Sequence, residues 1–157
     1  MKLRRGYIIA LLMVCSLAPS AIAQSNLNAT TSEQYVPRLG DIMNAVQSRH
    51  IKLWFAGKAR NWELATYELV LLKAGLLEAA VLYEGIPVTN VTTMAKPVDS
   101  VSAAIGARDG RRFAKAVGDL TDGCNACHKS MGRGFIGMRM PSEQPFSDQS
   151  FAPEAKR

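Results

Sequence analysis

Cys124-Asn125-Ala126-Cys127-His128 is the part of this sequence with an evident chemistry. Two thiols three residues apart, followed at once by histidine, form the C-x-x-C-H signature of covalent haem attachment. The thiols can add across two vinyl groups on one edge of a haem and form thioethers. The tether then brings His128 beneath the porphyrin, where a neutral imidazole is a good iron ligand. A thioredoxin-like pair would instead open a helix in a βαβ unit, and here no strand pattern surrounds the motif. Structural zinc wants four ligands, and outside the first 23 residues the chain offers only Cys124, Cys127, His128 and His50.

The other end of the chain reads as an export signal. Lys2, Arg4 and Arg5 form a positive region, Tyr7 to Leu17 is apolar, and Ala21-Ile22-Ala23 is a small-x-small cleavage site. Residues 1–23 are therefore expected to be a signal peptide, with a single haem c-binding helical domain over 24–157. The expected location is the periplasm. Cys15 would leave with the signal, so both remaining cysteines lie in the motif. Lys2, Arg4 and Arg5 would leave too, halving the formal charge of +6. Two haem propionates would bring the remainder near neutral, so the basic balance does not point to nucleic acid. No remaining stretch reaches the roughly 20 apolar residues of a membrane span.

The elements that must position the motif read as four helices. Helix 1 is expected from Gly40-Asp41, with Asp41 as N-cap, to Ala56-Gly57, carrying Ile42, Val46, Leu53 and Trp54. Helix 2 spans about Asn61 to Tyr83. Its expected apolar face is Leu64, Tyr67, Val70, Leu71, Ala74, Leu77, Val81 and Leu82, although it is nearly apolar all round. Helix 3 carries Val91, Met94, Val98, Val101 and Ile105, and Pro97 either kinks it or starts it. Helix 4 follows Asp109 and aligns Phe113, Ala116, Val117, Leu120, Cys124 and Cys127 on one face. The thiols thus share a seam with core residues. The fold class is all-α, and short connections favour an antiparallel up-down four-helix bundle. From about residue 133 the chain reads as an irregular tail, with Pro141, Pro145 and Pro153 keeping it extended and Phe135, Ile136, Phe146 and Phe151 as spaced apolar anchors.

A C-x-x-C-H motif near the C-terminal end of a fourth helix resembles the class II c-type cytochromes, the cytochrome c′ group. The resemblance covers roughly Asp41 to Gly132. It implies a four-helix bundle holding one haem c per chain near the end of helix 4, with a periplasmic redox or gas-binding role. Arg49-His50-Ile51-Lys52-Leu53 is similar to a helix 1 segment of low-spin members, in which an iron-binding Met follows Arg by four residues. Leu53 stands at that place here. The tail beyond the motif is a second departure from the family pattern.

The sixth iron ligand is therefore open. His50 is the sole other histidine, and Met43, Met138 and Met140 are the alternatives, along with no protein ligand at all. Arg49 and Lys129 are candidates for pairing with propionates or steering a partner. No nucleophile–base constellation, P-loop or dinucleotide fingerprint is present, so the expected role is a one-electron carrier rather than an enzyme. A gas-binding haem protein and a non-catalytic haem subunit of a redox complex are the other readings. The expected partner is a redox protein, a homodimer is compatible, and no membrane span remains after signal cleavage.

Overall fold

The structure, a computed structural model, describes residues 35–86 and 88–155. The expected signal peptide lies outside the described residues. Four helices carry the fold: α1 (Leu39–Lys58), α2 (Trp62–Leu82), α3 (Val88–Gly106) and α4 (Gly110–Ser130). The described residues contain no strand, so the all-α reading holds. Among them no helix is long and apolar enough to cross a membrane.

Helix α1 starts one turn earlier than its expected cap. Arg38 is the N-cap and offers no side-chain cap bond, while Asp41 sits in the first turn and pairs with Arg38 Nε at 3.0 Å. A carboxylate there opposes the positive end of the helix dipole without capping a specific amide. Helix α1 ends at a tight corner in which Arg60 takes a left-handed φ of 58°. Asn61 then caps α2, its Oδ1 accepting from the Leu64 N–H at 3.1 Å. Asp109 caps α4 as expected, accepting from the amides of Arg111 and Arg112. Helix α3 passes through Pro97 as one element.

Cross-contacts set the registers. Pro37 accepts a bond from the Tyr83 hydroxyl, Val46 lies against Gly75, and Arg49 pairs with Glu68, so α1 and α2 run antiparallel. Asn90 bonds Ser130, and Met94 and Pro97 lie against Gly123, so α3 and α4 do likewise. Helix α1 meets α4 at fewer points: His50 against Thr121, and Gly57 and Trp54 against Phe113. Phe113 is the centre of an aromatic cluster, stacked on Trp54 and edge-on to Trp62. The core continues through Leu53, Leu72, Val101, Val117 and Leu120, all essentially without solvent contact.

Helix α2 packs on a face other than the expected one. Ala65, Glu68, Leu69, Leu72 and Ala79 are buried, whereas Tyr67, Val70, Leu77 and Val81 are exposed, Val81 by 81%. A helix apolar all round gives periodicity nothing to select. Small residues decide instead: Ala65, Gly75 and Ala79 allow close approach, and a side chain added at Gly75 would meet Val46. Tyr67, Val70, Ala74, Leu77 and Val81 are left as a solvent-facing stripe with alternating spacings of three and four.

Beyond α4 the tail crosses from α4 to α1. Met140 and Phe146 pack against the core, Phe151 is buried beside Phe55, and Asn61 Nδ2 donates to the Ala152 carbonyl at 3.1 Å. Lys52 Nζ sits 4.5 Å from the Phe146 ring centroid. Phe135 and Ile136, expected as anchors of the same kind, are exposed.

Candidate functional site

Helix α4 delivers the motif. Phe113, Ala116, Val117 and Leu120 bury its face, and the same face continues through Thr121 to Cys124 and Cys127, both half-buried and free. Burial pushes the Cys124 thiol up to about 11, with the neighbouring Cys127 adding to the effect. Burial also raises Cys127, partly offset by a hydrogen bond from Asn90. Both thiols sit in the last two turns of α4, where the dipole disfavours negative charge. An oxidoreductase pair needs the opposite, a thiolate favoured by a helix N-terminus.

His128 is half-buried at the end of α4, and its Nδ1 lies 2.8 Å from the Ile136 carbonyl oxygen. A carbonyl only accepts, so Nδ1 carries the proton and donates. The other nitrogen, Nε2, therefore keeps its lone pair for a metal. Gly132, at φ +67°, ends the helix and folds the chain back so that Ile136 reaches the imidazole. The Arg133 N–H secures this turn on the His128 carbonyl at 2.7 Å.

On the far side of the same seam, His50 is 2% exposed and its Nε2 lies 2.8 Å from Thr121 Oγ1. Thr121 lies equally close to the Val117 carbonyl, which can only accept. The single hydroxyl proton goes there, so Oγ1 accepts from His50 Nε2–H. His50 Nδ1 is then a bare lone pair, buried and without a partner. Burial lowers the pKa of this imidazole and keeps it neutral. Met140 Sδ lies 3.4 Å from the same hydroxyl. Thr121, one turn before Cys124, is thus the point on which His50 and Met140 converge. Met138 is half-buried with its main chain on Asn125, and Met43 is half-buried in the first half of α1.

The residues present fit a haem c. They supply two free thiols on one helix face, an imidazole whose tautomer exposes Nε2, and a second, buried imidazole with an orphaned nitrogen. Among the described residues no group of three or more His, Cys, Asp or Glu converges to hold a metal ion directly, so a four-ligand zinc site is not built here. No protein-family model, curated protein or solved structure matches this chain. The site therefore rests on its own geometry.

Arg49 does not stand free for a propionate. Its guanidinium pairs with Glu68 at 3.1 Å, and the Glu68 side chain is 2% exposed. Lys129 is exposed, at the motif end. The basic residues at the start of α4 are also exposed, and Lys115 pairs with Asp119.

Thr121, Asn125 and Glu68 were not legible as site residues in the sequence. Thr121 left a faint trace, as a polar residue on the α4 face that carries the core, and Glu68 left none, because periodicity did not select a face of α2. Asn125 left none either.

Proposed function

We propose that the protein is an exported monohaem c-type cytochrome acting as a one-electron carrier. Cys124 and Cys127 form the thioethers, and His128 ligates the iron through Nε2. The observation that carries this reading is the His128 Nδ1–H bond to Ile136, which fixes the ligating tautomer beside two free thiols. A haem c supplies a reversible one-electron iron couple at this place. The Ile136 carbonyl and the loop that carries it hold the imidazole.

His50 is the proposed sixth ligand, through Nδ1, since that nitrogen is buried and unpartnered. A gas-binding or sensing protein is the alternative reading, in which His50 stays packed against Thr121 and no side chain takes the sixth position. A non-catalytic haem subunit of a redox complex is compatible with either ligation. The proposed location is the periplasm and the proposed partner a redox protein, and the exposed apolar stripe of α2 is compatible with a homodimer.

Expression with a c-type maturation system tests the proposal. The exported chain is expected to gain the mass of one haem that survives denaturation, and Cys124→Ala with Cys127→Ala to lose it. A wild-type mass equal to the bare chain would sink the proposal. With His50 bound, the ferric form is low-spin and takes up carbon monoxide poorly after reduction, and His50→Ala becomes high-spin and gas-binding. A high-spin wild type moves the gas-binding reading ahead. A methionine–iron charge-transfer band gives the sixth position to Met43, Met138 or Met140.

A further inference from the structure

Asn125 does something that thioether formation does not require. Its side-chain Nδ2 donates to the Met138 carbonyl at 2.9 Å, and its Oδ1 accepts from the Met138 N–H at 2.7 Å. A carboxamide carries one donor and one acceptor side by side, which matches both main-chain groups of a single residue. The chain between is closed at its other end by the Arg133 N–H on the His128 carbonyl, and braced internally by the Ile136 N–H on the Arg133 carbonyl at 2.8 Å. Residues 132–138 thus form a short loop tied to the motif at both ends. At its centre the Ile136 carbonyl receives the His128 Nδ1 proton. Apart from these bonds the loop has no buried side-chain anchor of its own: Phe135 and Ile136 face solvent, and packing against the core resumes at Met140.

We propose that Asn125 is a positioning residue for the iron ligand, and that the loop it clamps sets the electron donation of His128. The inference rests on the haem reading. A carbonyl that accepts from Nδ1–H gives the imidazole partial imidazolate character and makes Nε2 a stronger donor. A stronger donor favours ferric over ferrous iron and lowers the potential. When Asn125 releases Met138, the Ile136 carbonyl loses its aim, water competes for Nδ1–H, and the potential rises. The tail beyond α4 thereby acts on the metal through one hydrogen bond, without supplying a ligand.

The test uses the exported, haem-loaded protein and three measurements on wild type, Asn125→Ala and Asn125→Asp. Mass spectrometry first asks whether each chain carries covalent haem. Potentiometry and, with each protein also made in the His50→Ala background where the reduced iron is five-coordinate, the iron–histidine stretching frequency then report on His128. Asn125→Ala is expected to shift the ferric/ferrous balance about tenfold toward ferrous, or ~59 mV for one electron, and to lower the stretching frequency. Asn125→Asp keeps the acceptor for the Met138 N–H and loses the donor. It should lower the stretching frequency by less, the reading that its added charge leaves interpretable, and it carries the test should the alanine variant fail to load haem. Covalent haem in all three proteins, with unchanged potential and frequency, overturns the inference and leaves the haem reading standing. Wild type without haem mass overturns both.

Discussion

Arg49→Met should cost the protein about 3 kcal/mol. The Glu68 carboxylate lies inside the α1–α2 interface, 2% exposed, and Arg49 is its sole side-chain partner among the described residues. Removing one partner of a buried pair leaves an uncompensated charge, at a cost of roughly 3–5 kcal/mol. The low end applies because the Arg49 side chain is itself 33% exposed, so water reaches that edge of the pair. Glu68→Gln retains an acceptor for the guanidinium and should cost less, about 1 kcal/mol. Combining Arg49→Met with Glu68→Leu replaces the pair by apolar groups and should return most of the stability, which makes the coupling energy large. Urea denaturation followed by far-ultraviolet circular dichroism measures these proteins together with Glu68→Leu alone, which closes the cycle, and the single Arg49 variant should also melt about 10 °C lower. The same loss is expected with and without haem. An Arg49→Met cost below about 1 kcal/mol, coupled to weakened haem retention, would refute the pairing argument and return Arg49 to the propionates.

Two further outcomes follow from burial. Haem-free protein should lose stability as pH falls below about 6.5, because unfolded His50 takes up a proton there while burial keeps the folded imidazole neutral. The slope from this group is at most about 1.4 kcal/mol per pH unit, it ends where folded His50 protonates, and His50→Leu should flatten it in a pH series of urea melts. Gly57→Ala places a methyl group on the Phe113 ring, which Trp54 and Trp62 hold from either side. The expected cost is about 1–3 kcal/mol by thermal melting, larger than for Gly118→Ala, where the added carbon meets nothing.

The sequence carried α4 almost whole. An Asp cap, an apolar face of strict helical period and a motif of fixed spacing are all local signals, and each survives in the structure. The α2 face was illegible for a physical reason: Leu and Val on every side make the hydrophobic term nearly isotropic, and Ala65, Gly75 and Ala79 select the packing by size. The same interface hides Glu68, whose burial depends on an arginine 19 residues away. His50 was visible as a candidate by elimination. Its setting depends on Thr121, which is 71 residues distant and reads in isolation as an ordinary helical threonine. The tail was legible as apolar beads on an irregular string, but not which beads would bury. Phe146 and Phe151 find α1, while Phe135 and Ile136 fall in a loop whose backbone, rather than its side chains, makes the contact that matters.

The loop over the motif also has a place in time. Cys124, Cys127 and His128 precede Ile136, Met138 and Phe151 in the chain, and on the export reading a chain threaded from its N-terminus is delivered in that order. While the last residues are still crossing, the thiols and the imidazole are delivered without the segment that later fastens across them. On the haem reading, this gives biogenesis a natural sequence in which attachment comes first and latching second. The same contacts supplied by an N-terminal segment would be waiting to close on the thiols as soon as they emerged. Placing the latch downstream keeps the reactive groups open for the interval in which they must react.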